Sequence, residues 1–190
     1  MAEMAASILA AAPPSFALAG ISMGGYISFE IMRQAPERVI RLALLGTTAR
    51  PDTPEQTMQR RSMLALARTG DFKALLLQAF GALMHLSCKD DPMLRDITMR
   101  MGLAVGVDGM ARQLDAIIGR IDSRPTLSAI NVPTLVLVGD SDLLTPRDCA
   151  EEMVAAIAGS RLAVVPDCGH CSTLEQPEAV SRALIQWIAG

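Results

Sequence analysis

Aromatic residues are scarce in this 190-residue chain: four Phe, one Tyr and one Trp, 3% of the whole. A protein that stacks bases on ring platforms needs more of them. Runs of Lys and Arg are missing too, and the net charge is -3. Neither nucleic acid nor an anionic membrane is therefore expected as a partner. No apolar stretch reaches the length of a transmembrane helix. Histidine occurs only at His85 and His170, and no four-thiolate ligand set stands out, so no metal centre is expected. The Ala-rich start, Met1 to Ala12, has no basic region and carries Glu3 where a signal peptide would carry Lys or Arg. It reads as a helix. The four cysteines, Cys88, Cys149, Cys168 and Cys171, are expected as free thiols in a reducing compartment, and the expected location is cytoplasmic.

What the chain does have is apolar content. Hydrophobic residues make up 51% and charged residues 19%, which is the balance of a globular domain with a real core. Ser15 to Gly20 is a short apolar run ahead of a glycine, as in a parallel strand buried on both faces. A helix follows from Tyr26 to Gln34, closed by Pro36. Arg41 to Gly46, Thr134 to Val138 and Leu162 to Val165 read as further strands. Helices are expected over Arg147 to Ala158 and Pro177 to Ile188. Strands alternating with helices predict an α/β fold with a mostly parallel sheet. Between the second and third strands the character changes. Pro54 to Ala67, Asp71 to Leu86, Asp91 to Met101 and Asp108 to Ile121 all read as helices, with breaks at Gly70, at Gly102 with Gly106, and at Ser123-Arg124-Pro125. Methionines crowd this block, as core filler or as an adaptable wall above a pocket.

Three segments carry chemistry. Gly20-Ile21-Ser22-Met23-Gly24 fits G-x-S-x-G between an apolar strand and a helix, the setting in which a tight turn lifts a serine hydroxyl above the sheet. A serine needs a base to become a good nucleophile. His170 follows a strand and so lies at the carboxyl end of the sheet, where open α/β folds keep their sites. His85 lies in the helical block, far from any strand end, and is read as a surface or packed histidine. The base in turn needs a carboxylate to fix its tautomer. Asp140, Asp142 and Asp148 are the local candidates, and Asp167 is another near the histidine; all four fit the chain order Ser…Asp…His. Cys168-Gly169-His170-Cys171 has redox-motif spacing, but it falls after a late strand rather than at the start of a helix. It is expected to be two small side chains flanking the histidine rather than a redox pair.

Together these segments resemble the capped α/β-hydrolase family, in particular bacterial carboxylesterases and lactonases similar to 3-oxoadipate enol-lactonase. Gly20 to Gly25 resembles the family's nucleophile elbow. Gly139-Asp140-Ser141-Asp142-Leu143-Leu144-Thr145-Pro146 resembles its G-x-x-D-x-x-T-P acid loop, which singles out Asp142. Gly169 to Glu178 resembles its histidine loop. The resemblance implies a core of residues 1–46 and 132–190 with a helical cap at 47–131. It implies Ser22 as nucleophile, Asp142 as acid and His170 as base, with the Met23 N–H as an oxyanion donor and no cofactor. The implied reaction is hydrolysis of a small ester or lactone. The same triad serves perhydrolases and C–C hydrolases.

The family usually has further strands ahead of the elbow, and a loop there that supplies a second oxyanion donor; here about twenty residues precede Ser22. The expectation is a fold lacking its N-terminal strands. That leaves open a catalytically impaired binding or oligomerising protein. It also makes the strand Ser15 to Gly20 an unprotected edge, and a homodimer is expected to cover it.

Overall fold

The computed structural model describes residues 1–190. Four strands, β1 (Phe16–Ile21), β2 (Val39–Leu45), β3 (Thr134–Gly139) and β4 (Arg161–Val165), form one sheet in that order, and every pairing is parallel. Helix α1 (Ala2–Ala11) precedes β1, and α2 (Met23–Gln34) joins β1 to β2. Helix α6 (Arg147–Ala156) joins β3 to β4, and α7 (Ser172–Glu175) and α8 (Pro177–Ala189) close the chain. This is the α/β architecture that the alternation of patterns implies. No helix is long and apolar enough to cross a membrane.

The two central strands have apolar side chains on both faces, so both faces must be covered. Leu42 and Leu44 of β2 and Val136 and Val138 of β3 point to one side, where Phe29 and Met32 of α2, Ala150 and Met153 of α6, and Ala5 of α1 meet them. Ala43, Leu45, Leu135 and Leu137 point to the other, against Val180 and Trp187 of α8. The split follows the two-residue period of a strand. Complete burial of one Leu or Val side chain is worth about 1.5–3 kcal/mol. β1 pairs only with β2 and is an edge; its Ala19 and Ile21 remain exposed.

Between β2 and β3 lies a block of helices, α3 (Pro54–Thr69), α4 (Phe72–Leu83) and α5 (Pro92–Ile118). Each starts on a side-chain cap. Thr53 and Gln56 form a reciprocal capping box on α3, Asp71 accepts from the Lys73 and Ala74 amides, and Asp91 accepts from the Met93 and Leu94 amides. Such caps satisfy first-turn N–H groups and are worth about 1 kcal/mol each.

The structure differs from the sequence reading in one respect here. Asp91 to Met101 and Asp108 to Ile121 are not two helices parted by Gly102 and Gly106. α5 runs through both, kinked at Gly106 alone, where φ is 66° and ψ 176°. Gly102 keeps helical backbone; a Cβ there would come within 2.7 Å of Leu76 on α4. Its glycine marks close helix packing rather than a break.

The two ends of the block are tied together by charge. Asp52, just before α3, is almost wholly buried and pairs with Arg60 of α3 and with Arg120, just past α5. The Arg120 guanidinium also lies 4.4 Å over the ring of Tyr26 in α2, which anchors the block to the sheet layer by a cation–π contact.

Leu44 is fully buried at the middle of the sheet. Leu44→Ala is expected to lower unfolding free energy by about 2–5 kcal/mol in urea titration, since a cavity there cannot collapse between two paired strands.

Candidate active site

Parallel register aligns the carboxyl ends of all four strands. Ile21 lies opposite Leu45, Leu45 opposite Leu137, and Gly139 opposite Val165. The loops leaving β1, β3 and β4 carry Ser22, Asp142 and His170.

Ser22 sits at φ 50°, ψ -114°, a conformation that L residues rarely adopt. The turn is held from both sides. The Ser22 N–H donates to the Leu45 carbonyl at 2.9 Å, and its own carbonyl accepts from the Thr47 hydroxyl at 2.8 Å and the Gly25 N–H at 2.9 Å. The chain folds back so closely that a Cβ on Gly20 would lie 2.5 Å from the Gly24 carbonyl carbon, which is why small residues flank the serine. A serine ahead of a helix normally caps it. Ser22 makes no such bond to α2. Its hydroxyl instead lies 2.9 Å from His170 Nε2.

His170 Nδ1 is 2.9 Å from Asp142 Oδ2. Asp142 is ionised, so the ring proton resides on Nδ1 and donates to it, leaving Nε2 to accept the Ser22 hydroxyl proton. Asp142 also accepts the Leu144 and Thr145 amides on Oδ1, and the Thr145 hydroxyl at 2.8 Å on Oδ2. Burial pushes its carboxyl pKa up, but the hydrogen bonds from His170 and Thr145 outweigh this and hold it below the usual carboxylate range. Its stabilising contribution is therefore present above about pH 3.9 and is lost as pH falls through the lower native value. His170 and Asp142 are both buried.

The other carboxylates face elsewhere. Asp140 accepts the amides of Asp167 and Cys168 and so fastens the start of the histidine loop. Asp148 pairs with Arg50. Of the four candidates Asp140, Asp142, Asp148 and Asp167, Asp142 is the one in hydrogen-bond contact with His170.

His85 requires a correction. It is not remote from the strand ends. The segment just past α4 packs against the histidine loop: the His170 N–H donates to the Leu83 carbonyl at 2.8 Å, and the His85 N–H donates to Glu175 Oε2 at 2.6 Å. The His85 ring bonds Ser87 and does not enter the site.

Glu175 is the residue that the sequence reading missed. Its buried carboxylate accepts three backbone N–H groups, from His85, Gly169 and Cys171. It thereby locks both neighbours of His170 and ties them to the end of α4. An acidic residue at the end of α7, just ahead of Gln176 and Pro177, was its only sequence signal.

The flanking cysteines are both free. Burial, with Glu175 and Asp140 next, pushes the Cys168 thiol up to about 12, and burial with Glu175 pushes that of Cys171 to about 11. Redox-active thiols need the opposite shift. No cluster of His, Cys, Asp and Glu is arranged to hold a metal ion.

Glu175→Ala strands one buried donor, Gly169, and two part-buried ones, His85 and Cys171, and a buried donor left unpaired costs about 1–3 kcal/mol. The variant should lose several kcal/mol in urea titration, and the Ser22–His170 contact should loosen. Serine labelling by a fluorophosphonate should slow markedly even where the protein remains folded.

The model of the alpha/beta hydrolase family matches residues 2–183. A protein called putative non-heme bromoperoxidase BpoC, from Mycobacterium tuberculosis, is 32% identical over 178 residues, covering 90% of this chain and 66% of its own length. A thermophilic esterase from Thermogutta terrifontis superposes with a TM-score of 0.85 at 34% identity, over 93% of this chain and 65% of that one. The enol-lactonase from Burkholderia xenovorans LB400 superposes with a TM-score of 0.87 at 25% identity, over 99% of this chain and 71% of that one. The chain thus spans about two thirds of the length of these relatives.

Proposed function

From its membership of the α/β-hydrolase family, we propose that the chain is a serine hydrolase acting on a small carboxylic ester or lactone. The observation that carries this reading is the unbroken hydrogen-bonded line Asp142–His170–Ser22, with 2.9 Å at each of its two links. The likeness to an esterase and an enol-lactonase supports the choice of substrate class.

In the proposed reaction Ser22 Oγ attacks the carbonyl carbon and its proton passes to His170 Nε2. The tetrahedral intermediate collapses, and the alkoxide leaves with that proton. Water then attacks the acyl-enzyme, again giving its proton to Nε2, and the acid is released as Ser22 is restored. Asp142 holds the ring in the required tautomer and stabilises the imidazolium. Met23 is the first residue of α2, so its N–H has no acceptor within the helix and is the donor assigned to the oxyanion. The α3–α5 block is read as a cap. No cofactor takes part. The likeness to a protein named a bromoperoxidase favours peroxide as a second acyl acceptor in place of water, which would yield a peracid.

Ser22→Ala is expected to abolish fluorophosphonate labelling; a variant that labels like the parent removes Ser22 from the role. Asp142→Asn is expected to lower ester turnover by about 10⁴ through the wrong histidine tautomer, whereas Asp140→Asn should stay near the parent rate. The exposed edge of β1, with Ile21 at its end, supports a homodimer in which a second copy covers it. Light scattering at micromolar concentration is expected to give twice the chain mass, and a stable monomer would refute that assembly.

A further inference from the structure

Of the clefts in the helical block, two stand out by size. The larger, about 470 Å³, lies between α3 and α4, and its lining residues make no hydrogen bond to Ser22, Asp142 or His170. The other, about 390 Å³, lies between α4 and α5 and is large enough for a small organic group. It reaches the base's own loop. Leu83 and Cys171 are in its wall; the Leu83 carbonyl accepts the His170 amide, and Cys171 is the next residue in the chain.

The lining of this second cleft is chemically narrow. Ten of its thirteen residues are hydrophobic, and the others are Thr98, Gly102 and Gln113; none is charged. A carboxylate entering it would lose its hydration with no cation to replace it, which is strongly unfavourable. Met101 and Met110 stand in the wall, and methionine adapts to irregular apolar ligands. One feature breaks the apolar surface. Thr98 Oγ1 is buried and has no hydrogen-bond partner, although a threonine in a helix can ordinarily bond a carbonyl one turn back. A buried hydroxyl left in this state has a donor to offer to a ligand.

Chemistry decides which half of an ester belongs here. Nε2 must hand its proton to the departing alkoxide, so the alcohol arm leaves on the histidine side of Ser22. The α4–α5 cleft adjoins the histidine loop through Leu83 and Cys171. Resting on the hydrolase reading above, we propose that the α4–α5 cleft binds the alcohol arm of the substrate, and that the enzyme acts on esters of uncharged, hydrophobic alcohols, with the Thr98 hydroxyl donating to an ether or carbonyl oxygen where the arm carries one.

The test is a series of acetate esters followed by pH-stat, alongside fluorophosphonate labelling of Ser22. kcat/KM is expected to rise about tenfold or more from ethyl to hexyl acetate, and to fall about a hundredfold when the far end of the hexyl arm is a carboxylate. Val105→Trp, which fills the cleft from α5, should collapse the hexyl-to-ethyl ratio, mainly through KM. Thr98→Val keeps the shape and removes the hydroxyl. It should lower kcat/KM for butoxyethyl acetate severalfold relative to hexyl acetate. Labelling with hydrolysis that ignores alcohol length, prefers the carboxylate-ended arm, or responds to Val105→Trp only through acyl length overturns this assignment and leaves the hydrolase reading standing. Absence of both labelling and hydrolysis overturns the two together.

Discussion

Strand register governs the geometry of the whole site. Ser22, Asp142 and His170 come from three different loops, and the two contacts that join them are each 2.9 Å long. A one-residue slip of β3 or β4 would shift its loop by about 3.3 Å and exchange the side chains packed on its two faces. Either consequence alone is prohibitive. β2 and β3 are locked because they are apolar on both sides, with α2 and α6 against one face and α8 against the other. The same burial that stabilises the sheet therefore fixes the spacing of the polar groups at its end.

On that platform, strain and buried charge are placed where backbone hydrogen bonds can hold them. The positive φ of Ser22 is restrained by bonds to Leu45, Thr47 and Gly25. The Asp142 carboxylate is surrounded by the Leu144 and Thr145 donors and by His170. Glu175 does for the histidine loop what Asp142 does for the ring: a buried carboxylate is satisfied by three N–H groups, and in return it fixes their positions. Because one of those groups belongs to His85, the end of α4 and the histidine loop form one hydrogen-bonded unit. The helical block is also closed at its base by Asp52, Arg60, Arg120 and Tyr26. The end of α4 is thus bonded directly to the loop that carries His170.

Much of this was legible in the sequence because the informative patterns are local. The elbow was readable since an apolar strand, a serine between glycines and a helix follow each other within a few residues. Three of the helices between β2 and β3 were readable from their starts at Pro54, Asp71 and Asp91, and the structure adds that Thr53, Asp71 and Asp91 cap them. Asp142 was different: four aspartates were open on chemistry alone, and the acid-loop resemblance was needed to choose among them. What escaped depended on contacts distant in sequence. Gly102 reads as a breaker until Leu76 is seen against it; of the two glycines, Gly106 bends α5 because it alone has positive φ. His85 looked remote because nothing in its own segment shows that α4 ends beside the histidine loop. The tie that Glu175 makes to the end of α4 could not be read because its partner there, His85, lies 90 positions away.

In the proposed binding mode, the apolar cleft and the polar triad act as a single electrostatic arrangement. In the proposed reaction the imidazolium forms beside an already ionised Asp142, inside a site where His170 is 6% exposed. Coulomb attraction between such charges is weak in water and severalfold stronger where water is scarce. An uncharged alcohol arm lying against Cys171 and Leu83 would displace water from the histidine side without adding a competing charge. A carboxylate arm would bring its own negative charge and its hydration close to the ring, and would reduce that advantage. In that binding mode, the fit of a neutral arm to the α4–α5 cleft and the stabilisation of the charged base would have the same physical origin, the exclusion of water from one side of His170.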